Sequence, residues 1–380
     1  METDGQNENA KPHQVNNDTL RLSLLTKFHA GYFRISFALC GQALLWKTLS
    51  VPSTNGHVFQ PFVHVVPSTA FILLWSLALL SLITLCLLYV ARCVTRFESV
   101  CAEFQHHVGM NYLFAPWISG LLLLQSAPFL GPRDVGYPFL WWVLSLPIIA
   151  LDIKIYGQWF TQGKKFLSMV ANPTSHISVI GNLVSARAAA EMGGRESALC
   201  LFAVGMVHYA VLLVTLYQRF LGNDSLPAMM RPVFFLFFAA PSMASLAWCS
   251  IVSSFDTSCK MLFFLSLFLF ASLVSRPTLF RRSMRRFSVA WWAYSFPLTV
   301  LALAATEYAQ EVKGEIATLL MLILSVLSVI VTLILMLLTA IRTNDLLPHD
   351  DPFNCSLIIH RSGKRKSNVI KSVNKFCVQV

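Results

Sequence analysis

A chain of 380 residues that is 56% hydrophobic and only 12% charged, with a mean hydropathy of +0.61, lies outside the range of soluble domains. It reads as an all-α integral membrane protein, and its net charge of +11 is accounted for by membrane sidedness without any nucleic acid. Its nine cysteines include no CxxC pair and no zinc spacing, so neither a disulfide framework nor a metal or cofactor site is expected.

Residues 1–27 are polar and lack the apolar core of a signal peptide, so they are expected to remain as an N-terminal segment. About 20 mostly apolar residues cross a bilayer as a helix, and ten such spans follow: 28–50, 68–91, 107–128, 138–160, 174–195, 197–220, 228–251, 258–275, 288–310 and 314–341. The first and fifth are weak, because Arg34 interrupts one and Arg187 with Glu191 the other. Both are retained because the charge distribution demands an even number of spans in this phase.

With the N-terminus in the cytoplasm, inward-facing segments hold 21 of the 29 lysines and arginines. Outward-facing segments hold six (Lys47, Arg133, Arg187, Arg195, Lys260 and Lys313), and Arg34 and Lys154 lie within spans. This bias follows the positive-inside rule and puts both termini in the cytoplasm. The basic stretches "RPTLFRRSMRR" and "HRSGKRK" then face anionic inner-leaflet lipid. The membrane domain covers 28–343 and a basic cytoplasmic tail 344–380, in which Ser362 and Ser367 stand in contexts a regulatory kinase could use. The sequons at Asn17, Asn223 and Asn354 all fall on the cytoplasmic side and should stay unglycosylated. His106 and His107 could suggest a metal, but adjacent helical histidines point apart.

The odd spans share a pattern. Span three carries "YLFAPWISG" with Phe114 and Pro116, span seven "FFAAPSMAS" with Pro241, and span nine "YSFPLTV" with Pro297, each near mid-span. Spans one and five instead place Gly41 in "CGQA" and Gly181 in "VIGNLVSA" at that depth. Proline removes a backbone donor and clashes with the preceding turn, so Phe296-Pro297 is expected to break its helix. Carbonyls freed by such breaks are tolerated only where protein or a water-filled cavity solvates them. The odd spans are therefore expected to line a central path, with the Leu- and Phe-rich even spans facing lipid. Close packing of small residues and proline kinks, common in membrane helices, is the competing reading.

No carboxylate stands at the middle of an odd span, so cation selection and a proton relay are not expected. The hydroxyls and amides of Gln42, Asn182, Ser185, Ser242, Ser245, Ser295 and Thr299 could donate weakly to an anion below a basic mouth. Arg34 costs about 2.5–3.5 kcal/mol in an apolar span unless paired or snorkelling, and is a candidate for an inner vestibule.

Together "HAGYFRISFALCGQALLW", "NYLFAPWISG", "VIGNLVSARAAAEMGG", "RPTLFRRSMRRFSVAWWAYSFPLTVLALA" and "EVKGEIATLLMLILSVLS" resemble the plant slow-type (S-type) anion channels of the tellurite-resistance and dicarboxylate transporter superfamily, over residues 28–348. The resemblance implies ten helices arranged as five hairpins in a quasi-fivefold ring, odd helices inside. It also implies three such protomers with one pore each, in the plasma membrane. It further implies slow, weakly voltage-dependent efflux of chloride or nitrate, with Phe296 as the plug. Kinase or phosphatase control is part of the same expectation. The 27-residue head resembles that of the short-headed branch of these channels.

Three alternatives stay open. A dicarboxylate carrier such as one for malate would need an ionisable residue at mid-depth, for which Arg34, Asp152 and Lys154 are the candidates. A membrane enzyme would need a paired acid, base or nucleophile, and no such constellation is found. A conduction-poor subunit that modifies a longer-headed partner is the third.

Overall fold

The computed structural model describes residues 28–50, 68–161, 171–221, 228–281, 283–285 and 287–343. The segments 1–27 and 344–380, with Asn17, Asn354, Ser362 and Ser367, lie outside the described residues, as does Asn223. Among the described residues every regular element is a helix: α1 Phe33–Ser50, α2 Ser68–Thr95, α3 Phe97–Gln105, α4 His107–Tyr112, α5 Ala115–Ser126, α6 Gly136–Thr161, α7 His176–Glu191, α8 Arg195–Leu221, α9 Leu236–Val252, α10 Thr257–Val274, α11 Ser295–Val312 and α12 Glu315–Ile341, with short 3₁₀ segments between them. Among the described residues eight stretches are long and apolar enough to cross a membrane. Helices α1 and α7, the two weak spans, are not among them: α1, at 18 residues, is not apolar enough, and α7 has only 16 residues.

Packing sorts the long helices into two layers. Helix α1 packs on α5, α5 on α7, α7 on α9, α9 on α11, and α11 returns to α1. Each remaining long helix sits in the groove between two of these: α2 on α1 and α5, α6 on α5 and α7, α8 on α7 and α9, α10 on α9 and α11, α12 on α11 and α1. Burial follows the same division, since 94% of an 18-residue window within Val289–Val312 is buried, against 17% in Thr257–Val274. The outer helices expose large apolar side chains at heptad spacing, as in Leu73, Leu80 and Leu87 of α2 or Phe139, Leu146 and Ile153 of α6. Residues seven apart return to nearly the same face of an α-helix. Among the described residues these faces are exposed, and hydrocarbon is the solvent that suits them.

Four inner helices do not begin as α-helices. Tighter 3₁₀ turns at Ala30–Tyr32, Pro173–Ser175, Ala228–Phe235 and Val289–Tyr294 lead into α1, α7, α9 and α11, while α5 follows the short α4. Polar side chains cap several of these starts: His29 Nδ1 accepts the Gly31 N–H at 3.0 Å, His106 Nδ1 the Gly109 N–H at 3.3 Å and Asn172 Oδ1 the Thr174 N–H at 2.9 Å. His106 thus serves as a helix cap.

The prolines need a correction in consequence. Pro297 does not break a helix; it stands in the first turn of α11, and Pro116 in the first turn of α5. There the missing N–H has no intrahelical partner to lose, and the fixed φ suits the helix. Pro241 alone among the three lies inside a helix, α9. It leaves the Phe237 carbonyl without its i+4 donor, and Tyr209 of α8 supplies its Oη to that oxygen at 3.4 Å.

The start of α1 is fixed by a buried ion pair. Arg92 of α2 and Glu103 of α3 meet at 2.6 Å with side chains only 3% and 1% exposed, and the other Glu103 oxygen accepts the Ala30 N–H at 2.6 Å. One carboxylate therefore ties α2, α3 and the entry to α1 together. At the opposite ends of the inner helices Asp256 caps α10, accepting the Cys259 N–H at 3.0 Å and Trp248 Nε1–H at 3.1 Å. Burial alone would raise this carboxyl, but the hydrogen bonds outweigh it and hold it below the ordinary range.

Candidate functional site: a ring-closed basic pocket

At the amino-terminal ends of the inner helices lies a narrow pocket, with a cavity volume of only about 10 Å³, room for about one water. Every inner helix of the cycle, or the short helix that leads into it, contributes to its wall: Arg34 and Phe37 from α1, Tyr112 from α4, Ile177 from α7, Leu236 from α9, and Phe296 with Pro297 from α11. The 3₁₀ leads place these side chains together, because they bring Val233 and Trp292 into the wall beside the first α-helical turns.

Arg34 supplies the pocket's charge. It is only 8% exposed, its Nε–H donates to the Gly31 carbonyl at 2.8 Å, and its guanidinium carbon lies 4.7 Å from the centre of the Tyr112 ring. The side chain thus bends back over its own 3₁₀ turn and across to α4, where a cation over an aromatic face is favourable. Among the described residues Arg34 forms no ion pair. Its charge is left for the pocket.

Phe296 also lines the pocket. It is 1% exposed, and its ring stacks on that of Phe37 with centroids 3.8 Å apart and planes inclined by 23°. On α1, one turn beyond Phe37, Gly41 presents bare backbone: a Cβ there would lie 3.1 Å from Phe296 Cδ2.

Of the residues the sequence marks as facing a central path, Arg34, Phe296 and Pro297 line this pocket. The polar ones are directed elsewhere. Gln42 Nε2 donates within reach of Thr299 Oγ1 at 2.9 Å, Ser328 Oγ at 2.7 Å and Thr332 Oγ1 at 2.8 Å, joining α1 and α11 to the outer helix α12. Ser295 shares a hydrogen bond with Thr332 at 2.7 Å, and Thr299 with Ser328 at 3.0 Å. Asn182 donates to Asp152 of α6 at 2.7 Å, Ser185 pairs with Ser145 at 3.1 Å, Ser242 with Ser266, and Ser245 donates to the Cys259 carbonyl at 2.9 Å. A Cβ on Gly181 would meet Ile118 and Ile148, both at 3.3 Å, so this glycine makes room for α5 and α6. Phe114 is fully buried at the α4–α5 junction, Pro116 follows it half-buried, and Pro241 is buried within α9. The expectation that hydroxyls and amides point into the path is corrected: their polar groups bond across the seams between inner and outer helices, where hydrocarbon offers no substitute partner.

This placement predicts what Gln42 does. Gln42→Ala should lower thermal stability in detergent by about 0.6–1.7 kcal/mol, the range for interhelical hydrogen bonds in membranes, and leave anion preference unchanged. A shifted permeability ratio at unaltered stability would return Gln42 to the path.

Two of the ionisable residues that could serve a carrier lie off the pocket. Asp152 is held in the α6–α7 seam by Asn182, and Lys154 donates to the Phe104 carbonyl at 2.8 Å. Near the carboxy-terminal ends of the inner helices two cations have partners. Lys47 Nζ donates to the Gln125 carbonyl at 2.8 Å, and Arg187 Nε lies 3.0 Å from Glu191. Glu307 of α11 interacts electrostatically with both Arg187 and Glu191, a cluster that sequence reading passes over because Glu307 lies near the end of its span. Phe37 and Tyr112 escape it as well. Their one signal is Phe37 standing three residues after Arg34, on one helical face.

The model of the SLAC1 family, described as voltage-dependent anion channel, matches residues 27–340. The S-type anion channel SLAH1 of Arabidopsis thaliana is 57% identical over 331 residues, 87% of this chain and 85% of that protein. The S-type anion channel SLAH4 of the same plant is 56% identical over 329 residues, 87% of each chain. The Guard cell S-type anion channel SLAC1, also from Arabidopsis thaliana, is 40% identical over 332 residues, 86% of this chain and 58% of that protein.

Proposed function

Because the chain belongs to the SLAC1 family of voltage-dependent anion channels, we propose that it is a slow, weakly voltage-dependent channel through which small anions, chloride or nitrate, leave a plant cell down their electrochemical gradient. The observation that carries this reading is the pocket at which the inner helices converge, with Arg34 and Phe296 both on its wall. In this reading ten helices form a quasi-fivefold ring, the inner five surround the pore, and the pocket is its cytoplasmic vestibule. The cyclic packing of α1, α5, α7, α9 and α11 supports such a ring. The polar seams support it too, since they hold inner to outer helices and leave a wall of small and apolar groups. Anions are drawn in by Arg34, and no covalent chemistry takes part. Phe296 blocks the path sterically and by excluding water.

The protein works in the plasma membrane, as a homotrimer or with a longer-headed channel, under a kinase and phosphatase, with both termini cytoplasmic and its basic segments on anionic lipid. The narrow pocket also favours a second reading, a subunit that passes little current until a partner opens it. Expression alone and with a long-headed relative under voltage clamp, in chloride and then nitrate, separates the two. Anion current from the chain alone supports the channel, and current altered only in the mixture supports the subunit. Absence of any effect in either setting would remove both.

The orientation has its own check. Asn223 follows α8 on the side assigned to the cytoplasm, so it should stay bare in glycosylation-competent microsomes. A glycan at native Asn223 would invert the assignment and place Arg34 outside the cell.

A further inference from the structure

From the stacking of Phe37 on Phe296 we infer that the closure of this pore is a two-ring plug built across α1 and α11, in which Phe37 is the positioning residue that holds Phe296 shut. The inference rests on the reading of Phe296 as the plug and goes beyond it. A lone ring on α11 could turn about its own side-chain bonds whenever the local backbone relaxes. Here the ring has two neighbours on one face of α1. The Phe37 ring lies flat against it at 3.8 Å between centroids, and four residues later the backbone at Gly41 comes so close that an added Cβ would stand 3.1 Å from Cδ2. Residues four apart share a helical face, so α1 offers a shelf and a bare notch in register. Both rings are almost fully buried, at 4% and 1% exposure, and both line the pocket that holds Arg34.

The arrangement gives the closed state an attraction that the open state lacks. Stacked aromatic pairs are favoured beyond the area they bury, so opening must separate two rings before Phe296 can swing. It also makes the first inner helix part of the gate. Arg34 and Phe37 stand three residues apart on α1, and any displacement of the helix start, which the Arg92–Glu103 pair secures through Ala30, reaches both. Anion attraction and closure are thereby coupled on a single element.

The test compares currents at matched surface expression for the full chain carrying Phe37→Leu, Phe37→Tyr, Phe296→Ala, and Phe37→Leu with Phe296→Ala. Leucine keeps the apolar contact and removes the stack, whereas tyrosine keeps the stack. Phe37→Leu should raise chloride and nitrate current on the order of tenfold, the scale of one lost stacked pair, while Phe37→Tyr stays as closed as the native chain. The double variant should pass no more than Phe296→Ala alone, because one plug cannot be removed twice. Should Phe296→Ala conduct while Phe37→Leu stays at the native level, or should the two effects multiply, the pairing is wrong and Phe296 closes by itself. Silence of Phe296→Ala would remove the plug and the pairing together. A Phe37→Leu protein that reaches the surface poorly is replaced by Phe37→Met, which fills similar volume without a ring and must show the same rise.

Discussion

Alanine at Phe296 should turn the chain into an anion channel that conducts without a partner or a kinase. The ring is 1% exposed and lines the pocket; with Phe296 as the plug, its removal should open the path without touching the backbone that presents it. Pro297 stays in the first turn of α11, where it supports the helix start. Current per surface protein should rise at least about tenfold, equivalent to the loss of only 1.4 kcal/mol of closure. Phe296→Trp should stay shut, and Phe296→Leu should fall between. If Phe296 serves packing alone, alanine instead leaves a cavity costing about 3–5 kcal/mol, seen as poor folding and no current. A well-assembled Phe296→Ala protein that stays silent in chloride and in nitrate, alone and beside a long-headed relative, would leave the pocket without a gate.

Arg34→Gln should weaken the entry of anions. The guanidinium has a carbonyl and an aromatic face as neighbours and no ion-pair partner among the described residues. A unit charge ~8 Å from an anion at an effective dielectric constant of about 20 is worth about 2 kcal/mol, or roughly thirtyfold in occupancy. Measured in an open background such as Phe296→Ala, conductance should fall several-fold at low cytoplasmic anion concentration and converge on the parent value when anion is saturating. Arg34→Lys should restore most of it, because the charge remains although the planar fork over Tyr112 is lost. Concentration curves that superimpose for the parent and its Arg34→Gln variant would assign the arginine to anchoring the start of α1.

How far the sequence foretells this arrangement differs by feature. The outer helices are legible as plain runs of Leu, Ile and Phe. Helices α1 and α7 are not apolar enough to declare themselves, and only the alternation of lysine and arginine across the membrane points to them. Helix membership is legible too: Gly41, Pro297 and their counterparts do lie along the inner helices. What composition does not give is azimuth. Gly41 and Gln42 are adjacent, yet a helix turns about 100° between them, so the first meets Phe296 while the second reaches α12. Asn182 likewise turns away to Asp152. A polar residue within a membrane is a donor in search of an acceptor, and the outer helices provide one before any path does. Phe296 stands out only through resemblance to a known family, and Phe37, one of 29 phenylalanines, carries no mark of its own.

The low apolarity of α1 and α7 bears on how the chain is made. Each carries a buried arginine, Arg34 or Arg187, and each is followed in the chain by a strongly apolar outer helix, α2 or α8, of mean hydropathy 2.6 or 2.3. Between α7 and α8 the connection is a tight turn in which Gly193 adopts φ +88, a conformation that suits glycine. A ribosome delivers the weak segment first and the strong one second, so the weak one cannot commit to the lipid when it emerges. It must wait at the translocon until its successor arrives, and the two then enter as a pair. On this reasoning the greasy outer helix is a chaperone in cis as well as a wall, and for α1 and α7 the hairpin, not the single helix, is the unit expected to enter the membrane.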